Sequence, residues 1–224
     1  IQAHPAALGF NRGGVPLLLS AAVHAAKLCR EGGGPLVAVQ LDHATREEEV
    51  RGALAAGVDS VMIDGSALPF KENLAWTASV ARLAHQRGVA VEAELGRLAG
   101  EEDGLSVAEV EARMTDPEQV LEFLEKTGAD VLAVTIGNVH GKYACPDPTL
   151  DFPRLDAIRQ ETGVATPAPI RPAPGPLGTA PGLFALHGAS GLPPGVVQKA
   201  IARGVCKLNV NTEAREAVLG AWQD

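Results

Sequence analysis

The sequence predicts an α/β fold, a single parallel (β/α) barrel spanning residues 1–224, and three observations carry that prediction. About seven short apolar runs alternate with helix-like stretches from one end to the other, the rhythm of right-handed crossovers in a parallel sheet, which favours a barrel over two domains. Three of those runs finish in histidine: VAVQLDHAT at His43, VLAVTIGNVHGK at His140 and GLFALHGASG at His187. Hydrophobic residues make up 46% of the 224 residues but aromatics only 4%, so Val, Leu and Ala must fill the core, as suits layered helix and sheet packing.

Ile1 to His4 reads as the tail of a strand, and Val15 to Cys29 as an Ala- and Leu-rich helix ended by Gly32 to Gly34, with His24 a surface or boundary residue. Val37 to Thr45 is the central buried strand. Thr45 with Glu48 three residues on is a capping box for the next helix, which Gly57 closes. Asp59 to Asp64 (DSVMID) is a strand, and Trp76, Val80 and Leu83 repeat at helical spacing up to about Arg87, with Trp76 in the core and His85 without a partner signal. Val89 to Glu94 is a strand, and Gly96 to Gly104 an acidic, Gly-interrupted surface loop.

Ser106 with Glu109 and Thr115 with Glu118 form two more capping boxes, predicting helices over Val107 to Arg113 and Asp116 to Lys126. Gly128 ends the second, and Val131 to Ile136 is again a buried strand. A short helix lies around Arg154 to Glu161. Thr166 to Gly182 holds six prolines, a composition for extended segments, and reads as an exposed insertion. Leu183 to His187 is a strand, Pro193 and Pro194 open a helix reaching Arg203, Val205 to Val210 is the last strand, and Thr212 caps a helix toward Trp222.

Charge and cysteine usage narrow the function. A net charge of -8 argues against a general nucleic-acid or anionic-membrane surface. Cys29, Cys145 and Cys206 are scattered and odd in number, as expected of reduced thiols in a cytoplasmic protein. No run reaches the length of a membrane span, no secretory signal is visible, and no GxGxxG follows the first strand.

Strand carboxyl ends are where α/β folds keep their chemistry. Three histidines with one open position form the coordination of a catalytic zinc acting as a Lewis acid. Asp42 beside His43 is a support for it or an acid/base in its own right, and Asp64 and Glu94 also end strands. Gly188, Ala189, Ser190 and Gly191 form a small-residue turn open to an anion, and NVNT (Asn209 to Thr212) ends the next strand where a helix begins, the usual barrel phosphate site. Metal and phosphate at one mouth imply a phosphorylated carbonyl substrate.

Together LDHAT, SVMIDGSALPF, VEAELGRLAGEEDG, AVTIGNVHGKY, LHGASGLP and KLNVNTE resemble the class II, zinc-dependent ketose-bisphosphate aldolases, in order and over most of the chain, and above all the tagatose-bisphosphate branch and its plant relatives. The resemblance implies a (β/α)8 barrel that cleaves fructose or tagatose 1,6-bisphosphate to dihydroxyacetone phosphate and glyceraldehyde 3-phosphate, as in glycolysis. His43, His140 and His187 would hold Zn2+, and Asp42 would exchange the C4 hydroxyl proton. In the aldol direction zinc would stabilise the enediolate of dihydroxyacetone phosphate, and Glu102 would abstract its proton. Asp64 and Glu94 match a second or alternative metal site. Gly141, Gly188, Ala189, Ser190, Asn209, Val210, Asn211 and Thr212 match groups that contact dihydroxyacetone phosphate, some near a monovalent cation, Na+ or K+. A homo-oligomer is implied.

Relative to that family the chain lacks the first strand and helix, part of the second strand and the C-terminal helices, which leaves barrel edges unpaired. The Pro-rich segment stands where the family passes almost directly into the His187 strand. These departures keep a second reading open, a non-catalytic aldolase-like domain that binds metal or sugar phosphate within a larger protein.

Overall fold

The computed structural model describes residues 1–6, 14–102, 105–107, 113–145, 147–163 and 183–222. The Pro-rich 166–182 stretch and Glu109 lie outside them. The chain divides into two compact units, one made of Ile1–Glu94 with Leu124–Asp130, the other of the described parts of Leu95–Phe123, Val131–Pro172 and Pro181–Asp224.

The first unit repeats strand and helix: β1 (Gln2–Ala3), α1 (Gly14–Glu31), β2 (Gln40–Ala44), α2 (Glu47–Ala56), β3 (Ser60–Ile63), α3 (Phe70–His85) and β4 (Ala90–Leu95). The strands are parallel in the order β1-β2-β3-β4, with Gln2 beside Gln40, Gln40 beside Ser60 and Ser60 beside Ala90. The apolar runs become strands because both faces are covered: Leu41, Val61, Met62, Ile63, Val91 and Ala93 are wholly buried. Each large one contributes roughly 1.5–3 kcal/mol on leaving water.

The start of α2 lies one residue later than Thr45 and Glu48 predict. Arg46 is the cap, and the buried carboxylate of Glu49 accepts the N–H groups of Thr45 and Arg46 at 3.0 and 3.1 Å. On α3 the buried face is Asn73, Thr77, Val80, Ala81 and Ala84, with Trp76 and Leu83 half-buried, so the core stripe is rotated by one position from the predicted one. His85 does have a partner: its Nε2 lies 2.9 Å from Oδ2 of Asp130. That buried carboxylate also accepts the Val91 N–H at 2.7 Å.

The second unit comprises β5 (Ala99–Glu102), β6 (Leu105–Val107), most of α4 (Pro117–Thr127), β7 (Val131–Val134), β8 (Val139–His140), α5 (Phe152–Thr162), β9 (Leu183–Leu186), α6 (Pro194–Ile201), β10 (Val205–Leu208) and α7 (Thr212–Ala221). β7, β9 and β10 run parallel in that order, over a core that includes Phe123, Leu132, Leu155, Ile158 and Phe184. Seven parallel strands are thus present among the described residues, four in one unit and three in the other.

Three expectations change here. The predicted acidic loop forms strands, β5 pairing antiparallel with β6 and parallel with β8. Ser106 therefore lies in a strand opposite Glu101, where a helix cap was expected. At α4 the cap is Asp116, whose Oδ1 accepts the Glu118 N–H at 3.1 Å. The Thr115 hydroxyl turns inward instead, donating to the Leu95 carbonyl at 2.5 Å and accepting the Thr135 N–H at 2.8 Å. The three cysteines are free thiols. No helix among the described residues is long and apolar enough to cross a membrane.

Candidate active site

In the first unit the ends of β2, β3 and β4 bring four predicted residues together. His43 adopts φ +46°, in the left-handed region that few non-glycine residues occupy. This aims a buried imidazole at the carboxylates beyond the neighbouring strands: Nδ1 lies 2.8 Å from Asp64 Oδ2 and 3.6 Å from Glu94 Oε2. Ligand atoms of His43, Asp64 and Glu94 all fall within 4.8 Å of one another. A nitrogen with two carboxylate oxygens is a donor set that fits zinc or another first-row divalent ion.

Burial alone would push His43 down, but its hydrogen bond to Asp64 and the charges of Asp42 and Glu94 outweigh this and raise it to about 10. Asp64 shows the converse. Burial acts to raise it, yet the His43 bond and charge, with bonds from Ser66, hold it well below the usual carboxylate range. Asp42, half-buried on β2, accepts a hydrogen bond from Gln2 Nε2 at 3.1 Å.

Two residues that sequence reasoning passed over support this group. His4 follows β1, with its ring centroid 5.9 Å from that of His43. Asn73 on α3 donates to the Glu94 carbonyl at 3.0 Å. A side chain at Gly65 would meet Asn73 Oδ1 at 2.1 Å, so the glycine of DGS makes room for that clamp.

In the second unit His140, at the end of β8, and His187, just past β9, face each other with ring centroids 5.9 Å apart. Asn138 is the missed residue here. Its Nδ2 donates to the His187 carbonyl at 3.0 Å and its Oδ1 accepts the Ile136 N–H at 2.8 Å, bracing both histidine-bearing loops. Asn209 Nδ2 lies 3.0 Å from His187 Nε2. Register puts Gly100 of β5 opposite His140, and Glu102 two residues further along the same strand; the Glu102 side chain lies outside the described residues.

The predicted phosphate turns are joined. The Ala189 N–H donates to the Asn209 carbonyl at 3.0 Å, and the Asn211 N–H to Ser190 Oγ at 3.1 Å. Ala189 and Ser190 are buried, Asn211 and Thr212 half-buried, and Val210 exposed. Gly141 and Gly188 take φ +85° and +61°. A side chain at Gly188 would meet the Val139 carbonyl oxygen at 1.9 Å, so only glycine lets this turn approach β8. The Tyr143 hydroxyl donates to the Gly188 carbonyl at 2.8 Å, and burial pushes the phenol up to about 12, so it remains a donor.

Strand ends bearing buried imidazoles and carboxylates on a parallel α/β frame define an enzyme of the kind that works with a metal ion. The chain belongs to the class II fructose-bisphosphate aldolase family, whose model matches residues 1–224, and it is accordingly a lyase acting on phosphorylated sugars. Among solved structures it is similar to a candidate fructose-1,6-biphosphate aldolase of Coccidioides immitis, with 32% identity and a TM-score of 0.80 over 100% of this chain and 71% of that one. It is also similar to the YdjI aldolase of Escherichia coli K12, with 29% identity and a TM-score of 0.75 over 100% and 69%. The fructose-bisphosphate aldolase of Campylobacter jejuni shares the fold, with a TM-score of 0.75 over 100% and 67%, at 24% identity.

Proposed function

We propose that this chain is a zinc-dependent aldolase that reversibly cleaves a ketose 1,6-bisphosphate, fructose or tagatose, to dihydroxyacetone phosphate and glyceraldehyde 3-phosphate. The observation that carries it is the buried meeting of His43, Asp64 and Glu94 in a chain matched to the aldolase family throughout. In this reading the fold is one (β/α)8 barrel domain without its first strand and helix and its C-terminal helices, assembled as a homo-oligomer in the cytoplasm. His43, His140 and His187 hold the zinc, with Asp64 and Glu94 as a second or alternative position. Bound there, the ion supplies a Lewis acid for the substrate's carbonyl and hydroxyl oxygens.

The side chains do the rest. Asp42 takes the proton of the C4 hydroxyl as the C3–C4 bond breaks and C4 becomes the aldehyde carbon. The electron pair left on C3 is quenched by a proton from Glu102, which takes it back in the aldol direction. The turns at Gly188–Ser190 and Asn209–Thr212, with Gly141, hold the phosphate of the three-carbon ketone, beside a monovalent cation.

The test is cleavage of both bisphosphates with zinc and with chelator, in the parent and in His140→Ala. Chelator-sensitive cleavage of either sugar, lost together with zinc in the variant, is expected. Cleavage surviving in His140→Ala overturns the ligand assignment. A chain that binds zinc yet cleaves neither sugar is instead a non-catalytic sugar-phosphate or metal-binding domain.

A further inference from the structure

We propose that Gln2 is a positioning residue for Asp42, its side-chain amide held in the donating orientation by a relay through Gln40 to Glu92. The inference rests on the reading of Asp42 as the group that takes the C4 hydroxyl proton. Glu92 is 2% exposed and its Oε2 accepts from Gln40 Nε2 at 2.9 Å. With its Nε2 turned to Glu92, the Gln40 amide points Oε1 the other way. There it meets Gln2 Nε2 at 3.5 Å, and the same nitrogen donates to Asp42 Oδ1 at 3.1 Å.

The strand register builds this alignment. β1 and β2 are parallel with Gln2 opposite Gln40, and Asp42 is two residues beyond Gln40, on the same face. An amide is an ambiguous neighbour for a carboxylate, because one end donates and the other repels. Anchored at Glu92, the chain of two amides resolves the ambiguity and presents an N–H to Asp42. The donated bond claims Oδ1 and presents Oδ2 to the substrate hydroxyl. Gln2 acts only through Asp42 and touches no reacting atom.

Two assays on the zinc-loaded chain separate this role from a structural one. Carbon–carbon cleavage uses Asp42, whereas exchange of the C3 hydrogen of dihydroxyacetone phosphate with solvent deuterium uses Glu102. For Gln2→Met we expect kcat for cleavage to fall about tenfold, with KM, zinc content and the exchange rate held within about twofold. Gln2→Lys, which keeps a donor at that reach, should restore most of the loss, and Gln2→Met should add nothing in an Asp42→Ala background. Equal losses in both assays, undiminished cleavage in Gln2→Met, or additive loss in the double variant would each overturn the proposal. A parent chain active in neither assay overturns the aldolase reading itself, and the positioning role falls with it.

Discussion

Gly188 concentrates the backbone demands of the site in one residue. It sits at φ +61° with the Val139 carbonyl oxygen 1.9 Å from where a side chain would begin. Alanine there meets both a left-handed backbone and an immovable main-chain atom. Gly188→Ala should cost about 3 kcal/mol, or roughly 6–12 °C in melting temperature for a chain of this size, and should weaken sugar-phosphate binding. Calorimetry showing an unchanged melting temperature would mean that the turn is looser than its geometry. The placement of candidate residues was legible where apolar runs end: Asp42 and His43 lie on β2 and His187 just past β9, whereas His140 ends β8, a separate two-residue strand beyond the buried run of β7. Asn73, Asn138 and the His85–Asp130 pair were not, because their partners lie 21, 49 and 45 residues away, and nothing local marks such an encounter.

At the scale of elements, α2 shows how a helix start can be right in kind and wrong in register. Glu47, Glu48 and Glu49 are consecutive, and spacing from Thr45 selects the second. The structure uses the third because a single buried carboxylate can collect two main-chain donors, Thr45 and Arg46. Glu49→Ala should therefore lower stability by about 1–2 kcal/mol, read as a shift in the urea midpoint, whereas Glu48→Ala should leave the midpoint near that of the parent. Equal effects of the two would restore the capping box at Thr45. The β5–β6 hairpin was illegible for a different reason. Its glycines and acids favour a loop locally, and its strand character comes from pairing with β8, a contact no window of sequence contains.

For the molecule as a whole, the strand and helix alternation was readable because parallel strands covered on both faces need continuous apolar runs. Metal binding is where the parts become interdependent. An ion bound at His43 would have to displace the proton that Asp64, Asp42 and Glu94 favour there, and an ion that prefers the folded chain stabilises the whole of it. Zinc at about 100 times its dissociation constant should add roughly 2.7 kcal/mol to the unfolding free energy, and chelator should remove that increment. A melting temperature indifferent to zinc, measured at two zinc concentrations, would count against a single bound ion at these residues.

The ladder between β5 and β8 has one more consequence. A segment proposed to bring a base to its substrate would ordinarily swing on hinges of its own. Here the strand carrying Glu102 is stitched to the strand carrying His140, Ala99 to Val139 and Gly100 to His140. Any large swing of that segment must first unzip those pairs or drag the histidine along. A displacement of Glu102 along β5 is therefore tied to the position of His140 on β8.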